Sequence, residues 1–288
     1  MANNKPVVVV TGAHGFLGST LVSHFAGLGW NVIALVRNPP SLNKLENVRY
    51  VAYDMTRLVD PSVFKNADYL VHAAYIRLDR QNPNAFELNL KAAKDLISAS
   101  RAAKLKKNLF MSSMSAHDEA VSTYGRQKLA IEKVFNGPRD VNLRSGLIIG
   151  NGGIVKTMSD FMKSKHAVPL IAGGKQPLQI IGVDDLAKVI EKSLRGKAHG
   201  TFTVAHPKVY TYKRFYKLLA RNLKTKVLFI PVPFYALLYM IRFINLLHLP
   251  LAVSEDNLWG LAQLRSFDTA KDLKKIGVQV ASLEELLK

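Results

Sequence analysis

Val7-Val8-Val9-Val10-Thr11-Gly12-Ala13-His14-Gly15-Phe16-Leu17-Gly18 is the stretch that decides how this chain of 288 residues folds. Four β-branched residues read as a buried strand and the glycines as a tight turn. Phe16, Leu17, Leu21, Val22 and Phe25 then read as the inner face of a helix. Such a turn lets the backbone approach a pyrophosphate, whose charge the amides and dipole at the helix N-terminus stabilise. The spacing is Gly-x-x-Gly-x-x-Gly. Glycine-rich turns after strands also occur without a ligand, so the rest of the chain has to decide.

Further apolar strands alternate with helical patterns through residue 150: 7–10, 32–36, 48–53, 69–73, 108–111 and 142–148 are the expected strands. That alternation predicts an α/β fold with a doubly wound parallel sheet of Rossmann type. Beyond residue 150 the periodicity is broken by Gly152-Gly153, Pro169, Gly173-Gly174 and Pro177. The expected division is a dinucleotide-binding domain over 1–150 and a smaller substrate lobe over 151–288, part of which packs back on the sheet.

The second signal is Tyr124-Gly125-Arg126-Gln127-Lys128. Residues four apart share a helix face, so Tyr124 and Lys128 point together. A free phenol titrates near pH ~10, about three units too high for a base at neutral pH, and a nearby ammonium lowers that value.

The two motifs together resemble the short-chain dehydrogenase/reductase superfamily, in particular its extended branch of sugar-nucleotide epimerases and dehydratases. The resemblance spans essentially the whole chain. It implies a catalytic Ser113, Tyr124 and Lys128: the serine holds the substrate oxygen, the tyrosine exchanges its proton, and the lysine also binds the nicotinamide ribose. Ser112 and Ser115 are rivals to Ser113. It further implies cofactor contacts at Gly12, His14, Gly15, Phe16, Leu17 and Gly18, at Asp54 and Met55 after the third strand, at Ala73 and Ala74 after the fourth, and at Asn89 in the next helix. His14 reads equally as a solvated loop residue. Where the family often has Tyr-Gly-Pro, this chain has Ile149-Gly150-Asn151. The dehydratases carry an Asp-Glu pair after the catalytic hydroxyl, whereas Met114 and Ser115 stand here, which argues against a 4,6-dehydratase.

Cofactor choice turns on Val36-Arg37-Asn38 at the end of the second strand. An acidic residue there would bind ribose hydroxyls; arginine suits a 2′-phosphate by charge and fork geometry, so NADP is favoured over NAD. The alternative is that Arg37 stacks on adenine or faces solvent.

Forty Lys and Arg stand against 21 acids, a formal charge of +19. A solvated basic surface, attraction of nucleotide-linked substrates and proximity to an anionic membrane all fit, in that order. The basic residues read as scattered, and without a nucleic-acid-binding motif, nucleic acid is not an expected partner. No cysteine is present, so thiolate metal sites and disulfides are excluded, and the histidines lack metal-ligand spacing. No signal-peptide pattern precedes the first strand, so the cytoplasm is the expected location. The resemblance also suggests a homodimer through helices near 86–103 and 124–136.

The densely apolar stretch from 227 to 253 reads as a helix over about 234–248 bounded by prolines. As a lid or core element it should bury Tyr235, Leu238 and Ile241, with Arg242 reaching solvent or a substrate phosphate. As a membrane-surface anchor it should leave an apolar stripe exposed beside Lys and Arg. The lid or core is the expectation. The expected function is NAD(P)-dependent hydride transfer at a secondary alcohol or ketone, first of a nucleotide sugar. A sterol-like or other apolar alcohol is the enzyme alternative, and a non-catalytic cofactor-binding scaffold the alternative of another class.

Overall fold

The computed structural model describes residues 5–41, 45–79, 81–246 and 254–288, with the side chains of Asn245 and Leu246 left out. Strands and helices alternate as β1 (Val7–Thr11), α1 (Phe16–Gly27), β2 (Asn31–Val36), β3 (Val48–Ala52), β4 (Tyr69–His72), α2 (Ala85–Ala102), β5 (Lys107–Ser113), α3 (Thr123–Glu132) and β6 (Asp140–Ser145). Then come β7 (Leu147–Ile149), α4 (Gly153–Lys165), β8 (Ala167–Ile171), β9 (Pro177–Leu178), β10 (Ile180–Gly182), α5 (Val183–Arg195) and β11 (Gly200–Val204). The chain continues through β12 (Tyr210–Thr211), α6 (Tyr212–Asn222), β13 (Leu228–Val232), α7 (Phe234–Leu246), α8 (Glu255–Ala262), α9 (Ala270–Ile276) and α10 (Leu283–Leu286).

Seven parallel strands form one sheet in the order β11-β6-β5-β4-β1-β2-β3. Because side chains alternate along a strand, Val8 and Val10 join a core with Leu21, Phe25, Leu186 and Ile190, while Val9 joins Leu35, Leu70 and Leu96 on the opposite face. Helices therefore cover both faces, which is why these strands lack the polar alternation of a half-exposed sheet. Strand order runs outward from β1 in both directions, opening a crevice at the carboxyl ends of β1 and β4.

Two elements from beyond residue 150, α5 and β11, complete the large sheet, and α9 packs on both. The remainder builds a smaller lobe around Val168, Leu170, Ile180, Phe215, Leu219 and Leu283. The expected strand over 142–148 is divided. It changes partner at Gly146, where a Cβ would lie 2.4 Å from the Gln179 carbonyl oxygen, and β7 pairs with β10 instead of the large sheet.

The expectation for 234–248 needs correction. Its last two residues lie outside the described ones. Leu238 and Ile241 are buried with Leu258, but Tyr235 is 65% exposed, as are Tyr239, Met240 and Phe243 at 63%, 48% and 61%. Among the described residues, α8 and Ile171 cover one face of α7. Residues 235, 239 and 243 recur every fourth position and so fall together on the open side. Arg242 reaches solvent, its side chain half exposed, and its guanidinium pairs with Glu255 at 2.6 Å. Among the described residues no helix is long and apolar enough to cross a membrane.

Candidate active site

At the crevice, Gly12 adopts φ +69°, and a Cβ there would meet Ala74 Cα at 2.8 Å. At Gly18 a Cβ would lie 2.0 Å from the Gly12 carbonyl oxygen, so any side chain would push α1 off its strand. No side chain caps α1 at Gly15, and the first-turn amides of Phe16, Leu17 and Gly18 have no acceptor within the helix. His14 is exposed with its ring 5.6 Å from Tyr50. The Phe16 ring lies against the 150–153 turn, and Leu17 packs against the core, so these two offer the crevice their amides.

Thr11 ties the adjacent strand ends together. Its hydroxyl accepts from the amides of Ala73 and Ala74 at 3.2 and 3.1 Å and lies 2.8 Å from His72 Nδ1. With both lone pairs used, the hydroxyl donates to Nδ1, which fixes the tautomer that carries its proton on Nε2. Burial, with the Lys128 charge, pushes His72 down to about 3, so the ring is neutral.

The three resemblance-implied catalytic residues come together on β5 and α3. Ser122 caps α3 by accepting from the Gly125 amide at 3.1 Å. Lys128 is 6% exposed, and its Nζ donates to the Met111 carbonyl at 2.8 Å, 5.8 Å from the Tyr124 ring centroid. Burial lowers Lys128 to about 8, opposed by Glu132. Burial raises the Tyr124 phenol, opposed by a hydrogen bond with Ser113. Ser112 and Ser113 differ in their partners. Ser112 is buried and bonded to the Glu132 carboxylate, whereas Ser113 faces Tyr124 and its Oγ accepts from the Ser115 amide at 3.1 Å.

At the ends of β2 and β3, Asp54 accepts from the Thr56 amide and hydroxyl, both at 2.9 Å. These bonds hold its carboxyl below the usual range, and Arg57 and Arg37 lower it further. Met55 is buried in the neighbouring core. Asn89, an expected cofactor contact, is tied into the protein's own hydrogen bonds. It is 1% exposed, its Nδ2 donates to the carbonyls of Ile76 and Ala85 at 2.8 and 2.6 Å, and its Oδ1 accepts from the Ile76 amide at 2.8 Å. Both amide hydrogens are used within the protein, and with the Oδ1 bond they hold the loop after β4 in place.

Several contributors were missed in the sequence. Tyr75 puts its ring edge-on to Tyr124 at 5.4 Å and lies 5.2 Å from Lys128 Nζ. It directly follows the Ala73-Ala74 pair, which was the available signal. Glu132, one turn beyond Lys128, grips Arg144 at 2.8 and 2.6 Å and so anchors the helix to β6. The smaller lobe closes on the same helix: the Thr123 amide donates to Asp256 at 2.5 Å and the Val121 amide to Gln263 at 2.9 Å. These long-range partners carry no local pattern.

Residues 8–205 match the model of the NAD dependent epimerase/dehydratase family. The uncharacterized protein y4nG of Sinorhizobium fredii is 22% identical over 294 aligned positions, covering 93% of this chain and 73% of that protein. The ceramide reductase of Caulobacter vibrioides is 29% identical over 195 positions, 65% of this chain and 60% of that protein. The structure of MoeE5 in complex with UDP-glucuronic acid and NAD superposes with a TM-score of 0.76 at 19% identity, covering 97% of this chain and 96% of that one. That likeness is one of fold. With the family model spanning the crevice, the paired catalytic helix and the last strand of the large sheet, the chain belongs to the NAD-dependent epimerase/dehydratase family.

Proposed function

We propose that the chain is an NAD(P)-dependent oxidoreductase or epimerase acting by hydride transfer at a secondary alcohol or ketone. The observation that carries this is the convergence of Ser113, Tyr124 and Lys128 beside a glycine turn with no room for a Cβ at Gly12. The turn fits a dinucleotide, because uncapped amides at the α1 N-terminus meet the charge of a pyrophosphate. When bound, the nicotinamide supplies or accepts the hydride. Tyr124, its phenol raised by burial, holds its proton through the neutral range and gives it to a carbonyl oxygen that Ser113 orients. Lys128, lowered to about 8, keeps most of its charge at neutral pH, and that cation favours the phenolate when the proton returns.

Arg37 and Arg57, both felt by Asp54, place two cations at the adenosine end and support NADP over NAD. Nucleotide sugars are the first substrate class to test, supported by the basic surface and by the ligand of the MoeE5 structure. A second reading, an apolar secondary alcohol or ketone, is favoured by the open aromatic side of α7 and the ceramide reductase relative. A homodimer through α2 and α3 belongs to the same proposal.

Tyr124→Phe tests the mechanism. Turnover should fall by about 10²-fold or more, the range for losing an acid–base group, while cofactor binding measured by fluorescence stays nearly intact. Wild-type turnover in that variant refutes the assignment.

A further inference from the structure

Among the described residues, six of the large apolar side chains that remain exposed lie on two consecutive elements, β13 and α7. In β13, Leu228 is 66% and Ile230 44% exposed. Parallel register sets them beside Ala167 and Pro169 of β8, so the outer side of this two-stranded ladder is apolar throughout. At its far end the ladder meets α7, where Ile171 packs with Phe234 and Leu237. From there Tyr235, Tyr239 and Phe243 continue outward along α7. Clusters of this size on a monomer mark an interaction surface, whereas scattered single residues need no explanation.

Charge selects the occupant. The sequence holds no Asp or Glu between Glu191 and Glu255, but eleven Lys and Arg. Eleven of the net nineteen positive charges therefore fall in this segment because it lacks acids, although the basic residues themselves are scattered along the chain. Lys224 and Lys226 lead directly into β13, and Lys165 and His166 lead directly into its partner β8. All four are exposed, and among the described residues none forms an ion pair. They rim one end of the apolar ladder. A second copy of this chain would set this basic rim against itself and gain nothing electrostatically. An apolar face with lysines at one end and aromatic rings at the other suits the boundary between lipid headgroups and acyl chains, where the rings bury and the ammonium groups meet lipid phosphate.

We propose that the β8–β13 ladder and the open side of α7 dock the protein peripherally on an anionic membrane surface. Through its buried side, α7 packs on α8, and α8 hydrogen-bonds the N-terminus of the catalytic helix α3. Docking would thus hold the substrate lobe at the lipid boundary without requiring a crossing helix. The proposal does not rest on the hydride-transfer reading, since a scaffold without turnover would dock through the same side chains.

The test is flotation of purified protein with phosphatidylcholine vesicles, with and without phosphatidylglycerol, at physiological salt. Protein should float with the anionic vesicles and not with phosphatidylcholine alone. The double variant Tyr239→Ser, Phe243→Ser should bind at least about tenfold more weakly, from the apolar area removed. Lys224→Gln with Lys226→Gln should also weaken binding and flatten its salt dependence. Each variant is checked by thermal melting and by turnover on a water-soluble ketone, both expected unchanged. Failure of wild-type protein to float overturns the proposal, as does equal flotation of the aromatic variant. Dimerisation of the wild type that the aromatic variant abolishes, in sedimentation without vesicles, would assign the face to a second copy instead. Absence of turnover in the wild type, with flotation observed, would count against the catalytic reading alone.

Discussion

The crevice at β1, β4 and β5 and the open side of α7 treat the same kinds of side chain in opposite ways. In the crevice a lysine and a tyrosine are drawn in: Lys128 touches the Met111 carbonyl and three aromatic rings, and burial moves the titration of both groups. On α7 the tyrosines stand in solvent, and the lysines before β13 keep company with no acid. Buried titratable groups are tuned for proton transfer, whereas exposed ones offer area and charge to a partner. The proposed chemistry therefore sits at the sheet, and the proposed contact with the surroundings at β13 and α7.

The sharpest way to break that contrast is Lys128→Met. If the buried cation serves chemistry at the expense of stability, turnover should fall by about 10²-fold or more while the protein melts higher. The sign follows from linkage. Folding lowers Lys128 from 10.5 to about 8, so below pH 8 both states carry the proton and the folded state bears the cost of burying it. That cost is on the order of 1–3 kcal/mol, and it fades between pH 8 and pH 10.5 as the folded state releases the proton first. The gap in melting temperature between variant and wild type should accordingly be largest near pH 7 and narrow towards pH 10. In the wild type, kcat/KM should decline above a pH of about 8, as the lysine loses its charge. A variant less stable than wild type at pH 7 would show that Lys128 is a structural cation.

Much of the crevice was legible because its cues are local. A strand followed by glycines and an apolar helix, or a tyrosine and lysine four apart, needs no knowledge of the rest of the chain. The division at Gly146 was not legible, because it depends on the Gln179 carbonyl thirty-odd residues away. Asn89 was read as a contact because its position matches the family, yet its hydrogen bonds are decided by the loop at Ile76. Glu132 and Arg144 lie on a helix and a strand whose apposition only the fold reveals. Apolar density in α7 was visible too, but density cannot say which face a neighbour covers. Burial of Leu238 and exposure of Tyr239 are set by where α8 returns, on the far side of residues 247–253.

A smaller effect is expected at the other end of the crevice, where the exposed Arg37 is proposed to bind the cofactor. Arg37→Ala should weaken NADPH by at least roughly 1.5 kcal/mol, about tenfold, and leave NADH nearly unchanged, as read by titration of nucleotide fluorescence. The neighbouring Arg57, also felt by Asp54, limits the loss by remaining in place. Equal losses for the two nucleotides would give Arg37 another role and move it from the crevice side of the comparison to the surface side.

The smallest effect should be found at Tyr239, and its value lies in its neighbour. Leu238 is 3% exposed and packed with Ile241 and Leu258, so Leu238→Ala removes buried contacts and should destabilise by about 2–4 kcal/mol in chemical denaturation. Tyr239, one residue on and 63% exposed, has little packing to lose in the isolated chain. Tyr239→Ser should therefore change stability by no more than about 0.5 kcal/mol. The pair shares a helix, solvent and sequence context, so the difference isolates which side of α7 the fold itself uses. A loss at Tyr239 as large as that at Leu238, dependent on protein concentration, would mean the open side is covered by another copy in solution. A small loss independent of concentration would show that this side serves neither folding nor self-association and is open to another partner.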